Sequence, residues 1–258
     1  MQKPIVVKIG GSTLGNQDTA LEDLVLLQRK GIAAIVIHGG GQQISSWLSQ
    51  LGISTKFVNG LRITDEKSLK VTAAVLGGLV NKELVAAIQA LGGKTIGISG
   101  VDGNLLQATI KSRKLGYVGE ITKVNPAPLS LLLKNGYLPV IAPICFGLVN
   151  KKATLLNLNA DVAAGEIAAA IAADKLIFLT DVDGVRDDSG QTISRLTAAG
   201  AKDLLAAGKA SGGMIPKIEA CLKALSVIAE ARIIDGSVPH ALLKEIKNGN
   251  GGTTIASE

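Results

Sequence analysis

Short apolar runs rich in Ile and Val alternate along this chain with longer segments of helical pattern. The short runs read as strands buried on both faces. The predicted order is strand 5–9, helix 17–30, strand 32–37, helix 42–51 and a polar excursion around 54–63. A long helix then extends to about Leu91; Thr64 or Asp65 can N-cap it and no proline interrupts it. Strand 94–98 follows, then a β-hairpin excursion over 105–110 and 117–124, helix 127–135 and strand 137–142. A strand at 154–158 runs into an Ala-rich helix, 159–173. The remainder reads as strand 175–180, a turn at 181–190, helix 198–207, a Gly-rich loop 208–213, helix 214–230, strand 231–235 and helix 239–248.

This alternation predicts an α/β fold: a three-layer αβα sandwich around a central, mainly parallel sheet. The expected lobe boundary lies near 174, where the Ala-rich helix ends, giving lobes 1–174 and 175–258. Aromatic residues make up 2% of a chain that is 47% hydrophobic, so the core is built of Ala, Leu, Ile and Val.

Two of the strand runs end in glycine clusters. IVVKI leads into Gly10-Gly11-Ser12 and IAAIVIH into Gly39-Gly40-Gly41, with Lys8 inside the first run. Glycines at strand ends let backbone N–H groups approach an anion closely, and this edge of an α/β sheet is where ligands bind. The pair points to a highly charged phosphate. Common nucleotide signatures are absent: no G-x-G-x-x-G follows a strand, and Gly92-Gly93-Lys94-Thr95 lacks the first Walker glycine, which is Ile88. His38-Gly39-Gly40-Gly41 matches an esterase oxyanion loop, but no serine stands in a G-x-S-x-G elbow.

The net charge of +6 is scattered, densest at Lys111-Ser112-Arg113-Lys114, with few aromatics to stack bases; no nucleic-acid partner is expected. No unbroken apolar run approaches the ~18 residues of a membrane span, and strand pattern begins too early for a signal peptide. Cys145 and Cys221 lack metal or redox spacing and read as reduced core thiols, so a cytoplasmic protein is expected.

Several residues carry two readings each. Lys217, in the first turn of helix 214–230, is either a solvated lysine or a phosphate ligand at a helix N-terminus. Asp161 belongs to a capping cluster, or it gathers lysine ammonium groups. Asn157 ends a strand and can offer its amide to a carboxylate. Arg62 is a surface arginine or a bidentate carboxylate fork. Asp181-Val182-Asp183-Gly184 is a turn that can border a nucleotide. His38 reads as a structural residue of the glycine loop.

The strings VVKIGGS, VIHGGGQ, NGLRITD, GLVNK, SGVDG, NGYLPVIAPI, LLNLNAD, LTDVDGV and GGMIPK resemble, in order and spacing, the amino acid kinase family over residues 4–255. The chain is similar to the branch that phosphorylates the γ-carboxylate of N-acetyl-L-glutamate in arginine biosynthesis. The resemblance implies that Lys8 and Lys217 stabilise the phosphoryl group in flight, that Asp161 orients them, and that the N–H groups of Gly11 and Gly40 touch it. Gly40, Gly41, Arg62 and Asn157 match the acetylamino-acid site. Gly10, Gly11, Asp181, Val182, Asp183, Gly184, Val185, Arg186, Lys209, Ala210 and Ser211 match the nucleotide side, together with Lys8 and Lys217. ATP is then the co-substrate, and Mg²⁺ is held through nucleotide phosphates and not by a protein metal site. Two rivals remain: a kinase for carrier-linked or N-acetyl aminoadipate in lysine biosynthesis, and a catalytically silent sensor. The NLNAD and NGLRITD strings weigh against the first, the intact Lys8, Asp161 and Lys217 against the second. The resemblance also implies a homodimer packed through residues 65–91, with Val71, Ala74, Val75 and Leu79 as its patch. With only four residues ahead of the first strand, there is no arm of the kind that links arginine-inhibited relatives into hexamers. L-arginine is therefore not expected to inhibit.

Overall fold

The buried runs become parallel strands at the centre of the fold. The structure, a computed structural model, describes residues 3–10, 19–58, 60–249 and 251–258. Its first half comprises β1 (Ile5–Ile9), α1 (Ala20–Arg29), β2 (Ala34–His38), α2 (Gly41–Gln50), β3 (Phe57–Val58), β4 (Leu61–Arg62) and α3 (Glu66–Ala73). A π-helical stretch, Ala74–Val80, joins α3 to α4 (Asn81–Ala90). Then come β5 (Thr95–Ser99), β6 (Leu106–Ile110), β7 (Gly119–Val124), α5 (Ala127–Lys134), β8 (Leu138–Ala142), β9 (Ile144–Val149) and β10 (Lys152–Asn157). The rest is α6 (Ala160–Ala170), β11 (Leu176–Thr180), β12 (Arg195–Thr197), α7 (Ala198–Ala206), α8 (Met214–Ala224), β13 (Glu230–Asp235), α9 (Ala241–Asn248) and β14 (Thr253–Ala256).

Among the described residues, eight strands form one sheet in the order β12-β14-β13-β11-β1-β2-β8-β5. Each pairing is parallel except β13 with β14. Successive side chains enter opposite layers. On β1, Val6 joins the core under α5 to α8, whereas Ile5, Val7 and Ile9 join the core under α1, α2, the long helix and α9. The three-layer αβα sandwich expected from the sequence is what forms. The same parity places Lys8 on the α6–α8 face. His38, two residues after Val36, falls on the face covered by α4.

Several boundaries differ from expectation. Past Pro143 the chain enters a further strand, β9, which belongs to a second sheet of order β10-β9-β6-β7. Helix 214–230 stops at Ala224, and β12 and β14 extend the main sheet at segments too short and polar to read as strands. The long helix runs unbroken over Glu66–Ala90, and by length and composition it is apolar enough to cross a membrane, which the run lengths did not indicate. Here it lies in the outer layer with Val75, Leu76, Val80, Leu84 and Ile88 buried in the core, and Lys82 and Glu83 interrupt its apolar sequence. Buried Leu76, Val80, Leu84 and Ile88 are each four residues apart; at 3.6 residues per turn each step drifts by about 40°. The wider π turn over 74–80 absorbs part of that drift.

Helices α6 and α8 pack closely at Gly165. A Cβ there would lie 2.6 Å from the Ala220 carbonyl oxygen, which is backbone and cannot swing away. Gly165 is one turn from Asp161, and Ala220 is three residues from Lys217, so this contact sets the distance between those side chains. Gly165→Ala is therefore expected to lower unfolding free energy by about 1–3 kcal/mol through overpacking. Urea denaturation checks this, and an unchanged midpoint would show that the two helices separate without cost.

Candidate active site

Three elements converge on one carboxylate. β1 delivers Lys8 to the α6–α8 face. α6 begins at the cap residue Asn159, whose Oδ1 accepts from the N–H groups of Asp161 (2.8 Å) and Val162 (3.0 Å). Because Asn159 does the capping, the Asp161 carboxylate is free for other partners. Lys8 Nζ lies 2.9 Å from Asp161 Oδ1, and Lys217 Nζ lies 3.3 Å from Oδ2. The three side chains are only 10%, 12% and 8% exposed for Lys8, Lys217 and Asp161. Lys217 also donates to the Gly213 carbonyl (3.2 Å), so its reading as a solvated lysine is corrected. Two ammonium groups share one carboxylate, leaving a net positive charge largely shielded from water.

A cavity opens on either side of this cluster. The first, about 180 Å³, is lined by Lys8, Gly39, Gly40, Gly41, Arg62, Asn157 and Asp161, with Leu61, Leu76 and Leu158 among its apolar walls. Arg62 is no surface arginine: it is 7% exposed and stacks on the Phe57 ring at 4.7 Å. Its Nη2 donates to Gly41 O (2.9 Å) and Ser45 Oγ (2.8 Å), whereas Nη1 is buried without a hydrogen-bond partner. Burial holds the guanidinium pKa below its ordinary value. An unpaired buried donor on a cavity wall is a position for an acceptor such as a carboxylate. Asn157 Nδ2 donates to the buried Thr64 Oγ1 (3.2 Å).

The second cavity, about 410 Å³, is lined by Asp181, Val182, Gly184, Val185, Arg186, Lys209, Ala210, Ser211, Gly213 and Lys217. Asp183 does not line it; its carboxylate pairs with Arg186 (3.3 Å) and accepts from Thr192 Oγ1 (2.6 Å). Lys209 pairs with Asp188. Neither α2, beginning behind Gly40, nor α8, behind Gly213, has a side-chain cap, so both helix N-termini present backbone N–H groups without side-chain partners. Gly10 donates its N–H to Leu179 O (3.1 Å), and Gly11 lies outside the described residues.

Ser45, Phe57 and Asn81 were not singled out from the sequence. Ser45 follows Gly41 by one helical turn, and Asn81 opens the polar break Asn81-Lys82-Glu83 behind the apolar stretch 73–80; only the second is a signal visible in the chain. Asn81 is 1% exposed and its Nδ2 sits 3.2 Å from His38 Nε2. His38 Nδ1 lies 2.7 Å from the Gly39 carbonyl. Burial, opposed by that hydrogen bond and aided by nearby Lys82, pulls the His38 pKa down to about 4. Both cysteines are buried free thiols, as expected; burial pushes Cys145 up to about 12 and raises Cys221 as well.

Residues 3–235 match the amino acid kinase family. The chain belongs to the amino acid kinase family. It is 45% identical over 257 residues to an acetylglutamate kinase of Dehalococcoides mccartyi, covering 98% of this chain and 94% of the relative. It is 46% identical over 266 residues to an acetylglutamate kinase of Caldanaerobacter subterraneus subsp. tengcongensis, covering 99% and 88%. Among solved structures, smu.665 from Streptococcus mutans UA159 superposes with a TM-score of 0.86 at 28% identity over the whole of both chains.

In this member of the amino acid kinase family, the neutral His38 carries a pH signature. Its folded pKa of about 4 is below the ordinary 6.5, so as pH falls the unfolded chain takes up the proton first. The stabilisation is complete above pH 6.5 and is lost as pH falls to about 4, on the order of 3 kcal/mol in all. His38→Gln should flatten the pH dependence of unfolding free energy in that window relative to wild type. Parallel curves would place the His38 proton equilibrium elsewhere.

Proposed function

We propose that this protein is an acetylglutamate kinase, transferring the γ-phosphoryl group of ATP to the γ-carboxylate of N-acetyl-L-glutamate in arginine biosynthesis. The observation that carries the chemistry is Asp161 holding Lys8 and Lys217 at the junction of two cavities. The names of the relatives, which match nearly end to end, supply the substrate.

A carboxylate oxygen attacks the γ-phosphorus in line. One O–P bond forms, the bond from γ-phosphorus to the β–γ bridging oxygen breaks, and ADP leaves. The attacking carboxylate is already ionised at neutral pH, so no general base is needed. Catalysis is alignment and charge neutralisation. Lys8 and Lys217 meet the transferring phosphoryl oxygens from the two cavities, and Asp161 fixes their separation. The N–H groups of Gly40 and Gly11 donate to the same oxygens. In the first cavity Arg62, with its unpaired Nη1, holds the acetylamino acid together with Gly41 and Asn157. The nucleotide occupies the second, along Asp181–Arg186 and Lys209–Ser211 with Gly10. Asp183 holds Arg186 in place from outside it. Mg²⁺ would be held through the nucleotide phosphates, since both Asp161 oxygens face lysines. When bound, it neutralises phosphate charge. The lobes follow the same division, residues 1–174 around the amino acid and 175–258 around the nucleotide.

A homodimer fits the long helix. Val71, Ala74, Gly78 and Leu79 border an apolar groove with Trp47 and Leu51, which are 44% and 57% exposed, and Val75, expected in the patch, lines its floor while its side chain is buried. An isologous contact across that groove covers it. Ala74→Glu is expected to convert the dimer to monomer in sedimentation velocity; an unaltered dimer would place the interface on another face.

With ATP and Mg²⁺, the protein should form a hydroxylamine-trappable acyl phosphate from N-acetyl-L-glutamate. Free glutamate should be much poorer, since its ammonium group would sit unpaired. Lys8→Ala and Lys217→Ala should each lower kcat at least ~100-fold, the scale of a lost transition-state contact. Arg62→Ala should act mainly on KM for the amino acid. Equal turnover of free glutamate or of an aminoadipate derivative would sink the substrate assignment.

A further inference from the structure

The His38 contacts belong to a longer chain of hydrogen bonds whose direction is forced at each link. A carbonyl oxygen only accepts, so Nδ1 of His38, 2.7 Å from Gly39 O, carries the ring proton. Nε2 is then an acceptor, and it faces Asn81 Nδ2 at 3.2 Å. The amide orientation of Asn81 is fixed independently. Its Nδ2 also faces the carbonyl of Val140 at 3.0 Å, and its Oδ1 receives Lys82 Nζ at 2.9 Å. Lys82 is anchored in turn on Gly97 O at 2.9 Å. The donors run one way: Lys82 ammonium to Asn81 amide, Asn81 amide to His38 imidazole, His38 imidazole to Gly39 carbonyl.

That carbonyl belongs to the peptide unit whose N–H is Gly40. A proton held against the oxygen of a peptide polarises the group and makes its N–H a better donor, and serial donors reinforce one another. Gly97 gives the arrangement a second witness. A Cβ at 97 would lie 2.1 Å from Asn81 Oδ1 and 3.0 Å from Lys82 Nζ, so β5 has no side chain at the place where the amide and the ammonium meet. Gly40 is likewise pressed by the long helix, with a Cβ there falling 2.5 Å from Leu76 Cδ2. The loop is therefore held from behind by one helix, sterically through Leu76 and electrostatically through Asn81.

We propose that Lys82, Asn81 and His38 form a relay that aims and polarises the Gly39–Gly40 peptide, making Asn81 and His38 positioning residues for phosphoryl transfer. This rests on the kinase reading, in which Gly40 N–H donates to the phosphoryl group in flight. The relay strengthens a contact made most fully in the transition state, so it acts on kcat and leaves ground-state binding of either substrate nearly unchanged.

The test uses Asn81→Leu, Gly97→Ala and Lys82→Met in the full chain, with activity expressed per folded molecule. Asn81→Leu and Gly97→Ala should lower kcat by about tenfold, less than the loss of an entire oxyanion donor. KM for ATP and for the acetylamino acid should stay within about twofold. Affinity for ADP with aluminium fluoride should fall by the same factor as kcat, and affinity for a non-hydrolysable ATP analogue should not. The Gly39 ¹³C carbonyl resonance should move upfield in each variant, which reports the relay whether or not the enzyme turns over. Lys82 is exposed, so Lys82→Met keeps the test alive if Asn81→Leu does not fold; it should lower kcat about threefold with the same KM pattern. Unchanged kcat in folded variants, or parallel losses in kcat and both substrate affinities, would reduce His38 and Asn81 to ordinary buried structure. A wild-type protein that forms no acyl phosphate would instead overturn the kinase reading, while the carbonyl shift still judged the relay.

Discussion

The site depends on one carboxylate held between two ammonium groups. Asp161 reaches Lys8 on a central strand and Lys217 on a helix from the other half of the chain, and it neutralises only one of the two charges. In bulk water the surplus would be inconsequential. At roughly 10% exposure it is largely undamped, because the effective dielectric near a buried pair is far below that of water. A further anion at this point relieves the imbalance, and a phosphoryl group that spreads charge over three oxygens relieves it from several directions at once. The two uncapped helix N-termini add N–H donors to the same region. The helices that carry Asp161 and Lys217 pack closely at Gly165 against Ala220, where α6 has no side chain to hold α8 away.

Much of this architecture was legible in the chain. The Ile/Val runs placed the parallel strands, and their parity decides which layer Lys8 and His38 enter. What escaped reading has physical causes. β9 was hidden because Pro143 breaks an apolar run into two strands that belong to different sheets. β14 lies between β12 and antiparallel β13 and buries two threonines whose polarity hides the strand in the sequence. The end of α8 at Ala224 follows from tertiary packing, since nothing local forbids the helix from continuing to 230. Helix propensity alone sets no such limit.

The site was legible only in part. Positions 8, 161 and 217 share no local motif, and spacing cannot bring a strand and two helices onto one point; their grouping came through family resemblance, and the geometry now gives it distances. In the sequence Lys217 and Arg62 are indistinguishable from surface cations, because exposure is a property of the fold and not of a residue. Asp161 and Asn159 are equal capping candidates in the sequence, and only the hydrogen bonds of the fold give that role to Asn159. Asn81 illustrates the converse. The polar break that Asn81 opens behind an apolar helical stretch is visible in the chain, yet its meaning depends on which carbonyls and which imidazole meet the amide across the layer.

The positive charge of the whole chain takes a different meaning beside this arrangement. Beside the second cavity, Arg186 is paired with Asp183 and Lys209 with Asp188, both in exposed positions. Exposed pairs of this kind contribute little stability and are damped by salt. They leave these flanks nearly neutral, so attraction for a polyphosphate does not arise there. It arises at the buried cluster, over a few ångströms, where the unmatched ammonium lies between the cavities. A site built this way discriminates by position: an anion gains the full benefit only when its charge sits within reach of both lysines. That is the requirement of a phosphoryl group passing from one cavity to the other, and a diffuse basic surface could not impose it.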